Sequence, residues 1–384
     1  MDPQAPLQYR AAIVDPDCVP RPYLARTGNL PTSRDAVNAD WLGGIMANKY
    51  PGVAITAMET VEILNSHTTK WRIRVDWNAA GIAAGLPAHL CLKANWSGSF
   101  DNVDIHAVEA RFYHFMAHEI KVPTAICYYA DWDDDGSGHG LLVLEDLHRR
   151  GGKFGHSTQH SGVDLIAANL EGLAKLHASL WGSDRLSKAN APWLQTQMDT
   201  PVDSDQVRIM WRWIKANLED PNFRAIAPRH YLNDPRRVER AFDRLGEIER
   251  ATVAAYCIVL GDCHQGNTYI LPGGERLWLD WQLVRRGRPW RALTYFLVGS
   301  LTIEERRAHP QDLLKQYLAH LAATGVAGVP DLATVWEQTR IWVMYGIQAW
   351  VANSDSWGQN GLPMNERFFT AGEELGTWKL VLGE

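Results

Sequence analysis

Paired cysteines are missing from this sequence. Five cysteines (Cys18, Cys91, Cys127, Cys257 and Cys263) are odd in number and form no CxxC spacing. That pattern argues against a disulfide framework and for a reducing, cytoplasmic setting. A basic excess is missing too. The formal net charge is -6, whereas a chain that neutralises many nucleic-acid phosphates normally carries a positive balance. No apolar run approaches the roughly 18 residues needed to span a bilayer. The opening residues, Met1-Asp2-Pro3-Gln4, lack the charged and apolar regions of a secretion signal. Asn95-Trp96-Ser97 matches a glycosylation acceptor, but a cytoplasmic chain never meets that machinery. These absences remove nucleic acid and membrane from the expected partners and leave the oligomeric state open.

What is present is enough chain for two lobes: 384 residues, with 46% apolar and 21% charged residues in ordinary globular proportion. Residues 1–38 carry Pro3, Pro6, Pro16, Pro20, Pro22 and Pro31 and read as an irregular arm. Residues 39–146 are strand-rich. Trp71, Ile73, Val75 and Trp77 alternate with Arg72, Arg74 and Asp76, the period of a half-buried strand. An earlier run around Val61 and Ile63 makes a hairpin with it through residues 65–69. Leu90-Cys91-Leu92-Lys93 and Gly140-Leu141-Leu142-Val143-Leu144 read as further strands. From residue 147 to 384 the pattern turns helical. Val163, Ile166, Leu170, Leu173, His177 and Leu180 fall on one helical face, which makes His177 a hydrogen-bonded core histidine. A small strand-rich half followed by a larger helical half predicts an α+β fold of two lobes with a cleft between them. Seventeen tryptophans admit two readings, core packing or the lining of an apolar substrate pocket.

The chemistry concentrates in Leu260-Gly261-Asp262-Cys263-His264-Gln265-Gly266-Asn267 and the residues after it. Pro272-Gly273-Gly274-Glu275 is a turn between two apolar runs, so a hairpin is expected. A symmetric hairpin sets Asn267 across from Asp280, with Asp262 just ahead. Three oxygen-bearing side chains would then converge. Mg²⁺ is a hard ion that takes oxygen ligands and keeps several waters, so one carboxylate and one amide oxygen suit it. A second carboxylate can accept the proton of an attacking hydroxyl. Upstream, Ile105, Glu109, Phe112 and Met116 share one helical stripe. Glu109 on that apolar side needs a cation, and Lys93 at the end of the preceding strand is the candidate.

These motifs resemble those of the aminoglycoside phosphotransferase and choline kinase superfamily over roughly residues 55–300. Leu260 to Asn267 is similar to its H-G-D-x-x-x-x-N loop. Leu279-Asp280-Trp281-Gln282 resembles the I-D-W-Q of its ecdysteroid-kinase-like branch, and Leu173-Ala174-Lys175-Leu176-His177-Ala178 its L-x-x-L-H-A helix. The resemblance implies a protein-kinase-like fold and transfer of the terminal phosphate of ATP (or GTP) to a hydroxyl of a small substrate, which the tryptophan content leans towards an apolar compound. It makes Asp262 the catalytic base, with Asn267 and Asp280 holding the metal. Lys93 would hold the nucleotide phosphates, Glu109 would orient Lys93, and Glu145 and Leu147 would mark the adenine hinge.

Two departures stand out. Leu260 replaces the leading His that braces the loop, and Ala292 stands where the superfamily tends to place an Asp. The turn at residues 65–69 also lacks the glycines that let backbone amides approach phosphate. Ser66, Thr68 and Thr69 could donate there instead, and an ordinary hairpin turn is an equally good reading. Leu260 and this turn favour the competing reading, a catalytically weak kinase-fold protein that binds a ligand or partner. Asp262 with His264 as ligands of a metal hydrolase lacks a partner cluster. Asp131-Trp132-Asp133-Asp134-Asp135-Gly136 begins like a calcium loop, but its twelfth position is Leu142, so an exposed acidic turn is expected.

Overall fold

A computed structural model describes residues 29–66, 68–97, 104–158, 162–196, 204–352 and 361–384. Most of the proline-rich arm, with Cys18, lies outside the described residues, as does His67. Ten strands occur among those described: β1 Ile55–Asn65, β2 Thr69–Trp77, β3 His89–Ala94, β4 Cys127–Trp132, β5 Gly140–Glu145, β6 Lys153–Phe154, β7 Cys257–Val259, β8 Thr268–Ile270, β9 Arg276–Trp278 and β10 Arg285–Gly287. By its internal contacts the chain divides into two compact units. One runs to Phe154 and takes back Tyr269–Val284; the other holds Gly155–Thr268 and Arg285–Glu384. The change of sequence character falls at residue 147. The first unit reaches past it because β6, β8 and β9 form a three-stranded sheet, and Leu147 packs with Ala125, Tyr269, Leu271 and Leu277.

The first unit is built on an antiparallel sheet of order β1-β2-β3-β5-β4. The period-two pattern of β2 decides which face is core. Trp71, Ile73, Val75 and Trp77 are buried, while Lys70, Arg72, Arg74 and Asp76 alternate with them half-buried. Leu90, Leu92, Leu141, Val143 and Tyr129 complete that core with Leu42 and Met46 of the helix Ala39–Ala47. Each fully buried aliphatic side chain there contributes roughly 1.5–3 kcal/mol. The turn between β1 and β2 closes on the pair Asn65 and Thr69. The helix Ile105–Phe115 buries His106 to Ala110, Phe112 and Tyr113. Gly140 sits so close to the His106 carbonyl that no side chain would fit.

The second unit is largely helical. Trp290–Ser300 is buried on every side, as expected of a central helix apolar nearly all round. Leu332–Val351, Asp312–Ala323 and Val163–Ser179 are further long helices of this unit. The face that periodicity assigns to Val163–Ser179 is its buried face, and His177 accordingly meets the Tyr317 hydroxyl at 2.8 Å. Trp278, Trp281, Trp290 and Trp342 rank among the largest fully buried side chains. For these four, packing is the reading that holds, so they do not speak for an apolar acceptor. Asp131 corrects the picture of an exposed acidic turn. It is buried, accepting from the Tyr129 hydroxyl at 2.7 Å and the Trp132 amide at 2.8 Å, and exposure begins only at Asp134. Among the described residues no helix is long and apolar enough to cross a membrane.

Candidate active site

In the first unit, Lys93 is the penultimate residue of β3, with its side chain on the face opposite the core. Its Nζ lies 2.7 Å from Glu109 Oε2 and 2.8 Å from Asp280 Oδ1. The remaining Glu109 oxygen, Oε1, accepts the Trp281 amide at 3.0 Å, and the Trp281 ring stacks on Phe112 at 4.1 Å. One lysine thus serves two carboxylates, and backbone and ring packing fix the set. Burial opposes the charge on Lys93, but Asp280 and Glu109 outweigh it and hold the ammonium above its usual range. For Glu109, burial dominates over Lys93 and raises its pKa. The pairing of Lys93 with Glu109 is the one the sequence predicts, whereas the contact of Lys93 with Asp280 has no signature in spacing. Asp280 is also the only non-glycine residue with positive φ among those described, at φ 61°. Such a backbone is costly for a side-chain-bearing residue and clusters at functional sites.

The same sheet face carries a second ion pair. Arg72 grips the buried Asp146 through Nε and Nη2 at 3.0–3.1 Å, and its Nη1 reaches Glu62 at 2.5 Å. Glu145 is committed internally. Its carboxylate binds Arg150 at 2.6 and 3.0 Å and accepts the Ile126 amide at 2.8 Å, so it has only backbone to offer a base. Leu147 is buried at the start of a short turn capped by Asp146. Ser66 is exposed, and its amide and hydroxyl both donate to the Thr68 carbonyl.

In the second unit, Asp262 follows β7. The Asn267 amide nitrogen donates to the Asp262 carbonyl at 2.9 Å and to Oδ2 at 3.2 Å. His264 Nε2 stands 3.3 Å from the same Oδ2. His264 Nδ1 accepts the Gly266 amide at 3.0 Å, which leaves the ring proton on Nε2, facing Asp262. Burial pushes the Asp262 carboxyl up, but His264, Tyr295 and Asn267 more than offset it and hold the pKa below the usual carboxylate range. The sequence offers His264 only as a metal ligand without a partner cluster. Its position two residues after Asp262 was the available signal for an orienting role. The hairpin ladder covers only Thr268–Ile270 and Arg276–Trp278, so Asn267 and Asp280 flank it instead of pairing within it.

A sequence model of the ecdysteroid kinase-like family matches residues 103–325. The chain belongs to the ecdysteroid kinase-like family. Curated proteins give no match. Among solved structures, a Ralstonia eutropha protein described as a candidate aminoglycoside phosphotransferase superimposes with TM-score 0.50 at 15% identity, over 87% of this chain and 97% of its own. The choline kinase LicA of Streptococcus pneumoniae gives TM-score 0.45 at 11% identity, over 83% and 94%. The macrolide 2'-phosphotransferase MphH of Brachybacterium faecium gives 0.44 at 16%, over 86% and 97%. The fold is α+β and protein-kinase-like, with a strand-rich unit and a helical unit.

Leu260 stands where the motif that this segment resembles has a histidine, and the second unit shows what holds the neighbouring Gly261. The Arg291 guanidinium donates to the Gly261 carbonyl at 3.0 Å and to the Tyr345 hydroxyl. Tyr345 donates to the same carbonyl at 3.0 Å. Leu260 is itself fully buried. Ala292, the other departure, adjoins Arg291 in the buried helix. The loop is therefore held through a carbonyl acceptor by a cation and a phenol. Among the described residues no three His, Cys, Asp or Glu side chains cluster to hold a metal, so the hydrolase reading finds no such centre there.

Proposed function

We propose that the protein is a small-molecule kinase that moves the terminal phosphate of ATP (or GTP) to a hydroxyl by direct in-line attack. The observation that supports this reading best is the closed set of Lys93, Glu109 and Asp280, held by a strained backbone at Asp280. In this reading Glu109 keeps Lys93 extended towards the nucleotide phosphates. The fit of Mg²⁺ follows from the donors. Lys93 occupies Asp280 Oδ1, and a carboxylate has a second oxygen of the hard kind that the ion takes. Asn267 spends its nitrogen on Asp262, which leaves its carbonyl end for a cation. Asp280 and Asn267 are the ligands assigned here, and a magnesium ion so held would neutralise the phosphate charge that develops during transfer. The Glu145 carbonyl and the Leu147 amide are assigned to the adenine.

Asp262 is the proposed base. Its depressed pKa keeps it ionised at neutral pH, and His264, Asn267 and Tyr295 fix its direction. The acceptor oxygen forms its bond to the terminal phosphorus as its proton passes to Asp262. The bond to the bridging oxygen breaks, and the nucleoside diphosphate leaves with that electron pair. The weak-kinase reading rests on Leu260 and the glycine-free turn, and the brace from Arg291 and Tyr345 speaks against the part that rests on Leu260. The acceptor is taken to be a small hydroxyl compound.

Asp262→Asn tests the assignment. Calorimetry should find nucleotide affinity retained. Transfer from labelled ATP to a panel of antibiotic, choline, sugar and steroid alcohols should fall by roughly 10²–10⁴-fold against the best acceptor. Unchanged transfer would remove Asp262 from the role of base. Lost nucleotide binding in a folded variant would instead move it into the metal shell.

A further inference from the structure

Lys70 has no evident reason to be where it is. In the register of β2 against β3 it lies directly opposite Lys93, and direct partners in an antiparallel pair present their side chains to one face. Like charges so placed repel. The other cations on this face of β2 are each answered by carboxylates: Arg72 by Glu62 and Asp146, Arg74 by Glu59 and Asp76. Lys70 makes no ion pair with any described residue. Its one side-chain hydrogen bond among the described residues runs to Ser66 Oγ at 3.4 Å, at the long limit for such a bond. Burial and Lys93 lower its pKa, while Asp280 and Glu109 work to raise it. A half-buried ammonium that no described carboxylate pairs directly has capacity for an anion.

The neighbouring turn supplies the second observation. It contains no glycine. Thr68 and Thr69 are buried, Thr69 Oγ1 is turned to Asn65 Oδ1 at 3.0 Å, and the Ser66 amide is spent on the Thr68 carbonyl. The Ser66 amide so committed is not free for a phosphate, and no glycine is there to bring the backbone close as in a glycine-rich loop. The charge would have to come from a side chain, and Lys70 is the cation next to the turn.

We infer that Lys70 is a second phosphate-binding cation, taking with Lys93 the polyphosphate of a nucleoside triphosphate in place of a glycine-rich loop. This rests on the kinase reading above. The test is calorimetry of Mg·ATP and of adenosine against wild-type protein, Lys70→Met and Lys70→Arg. Lys70→Met should weaken Mg·ATP by roughly 10–100-fold, the worth of a hydrogen bond to a charged group, and leave adenosine unchanged. Lys70→Arg should return most of the loss. If Lys70→Met fails to fold, Lys70→Gln is to show the same selective loss. Wild-type affinity for Mg·ATP in the Met or Gln variant, or equal losses for ATP and adenosine, would overturn the role of Lys70 alone. A wild-type protein that binds neither ligand would overturn the kinase reading and this inference with it.

Discussion

The two units handle their key carboxylates in opposite ways. In the first, Glu109 is fully desolvated and depends on the Lys93 ammonium. In the second, Asp262 keeps 27% of its side chain exposed and is steadied by hydrogen bonds from His264, Asn267 and Tyr295. A buried charge stripped of its counter-charge is expensive, whereas a partly wet carboxylate with several donors survives the loss of its own charge. The first arrangement therefore ties chemistry to stability, and the second separates them.

Lys93→Met should break the comparison hardest. Glu109 and Asp280 lose their shared cation, and unfolding in urea should show a loss of about 3–5 kcal/mol, alongside lost turnover. The pH dependence has a definite sign. A carboxyl whose folded pKa is raised binds more protons folded than unfolded, so the variant should become less stable as pH rises through that folded pKa. Equal stability of variant and wild type would make Lys93 an ordinary strand lysine. Asp262→Asn, measured in the same way, should cost less, about 1 kcal/mol, because its charge-assisted hydrogen bonds become neutral ones.

A smaller effect is expected of the loop brace. Arg291→Met removes two donated hydrogen bonds but leaves Tyr345 on the Gly261 carbonyl. It should cost about 1–3 kcal/mol and lower turnover without changing nucleotide affinity. Adding Tyr345→Phe should give a loss that differs from the sum of the single variants, because the residues share one acceptor. Strict additivity would mean that they act separately.

The mildest test is acid. His177 is fully buried, and burial lowers its pKa to about 3. The unfolded chain binds a proton near pH 6.5 and the folded chain does not, so this stability is present above 6.5 and is lost as pH falls towards 3. Between pH 7 and 5.5 the loss should be roughly 1 kcal/mol. His177→Asn should flatten that part of the stability profile, and an unchanged slope would place the titration elsewhere.

Much of this was legible in the residues because it rests on local pattern. Alternation in β2, the helical stripe bearing Glu109 and the turn at Pro272-Gly273-Gly274 are properties of short stretches, so periodicity finds them. What stayed hidden depends on distance along the chain. Arg291 and Tyr345 reach Gly261 from 30 and 84 residues away, and Arg72 meets Asp146 across 74. Charge counting can require that Glu109 find a cation, but it cannot show that Asp280 shares it. The left-handed backbone at Asp280 is equally invisible, since aspartate seldom adopts it. The sequence sets Lys70 beside a turn without glycine, and only the strand register sets it opposite Lys93.

The return of Tyr269–Val284 to the first unit bears on how the chain is made. Trp281, Trp278 and Leu277 supply stacking and core that Phe112, Ala125 and Leu147 lack until then. On the ribosome the amino-terminal unit must wait, incomplete, while the intervening 155–268 segment is synthesised, a delay on the order of ten seconds. Folding of this protein cannot proceed strictly in order of synthesis. A fragment that stops at Phe154 should bury less and aggregate more than the whole chain, and the last piece it lacks includes Asp280.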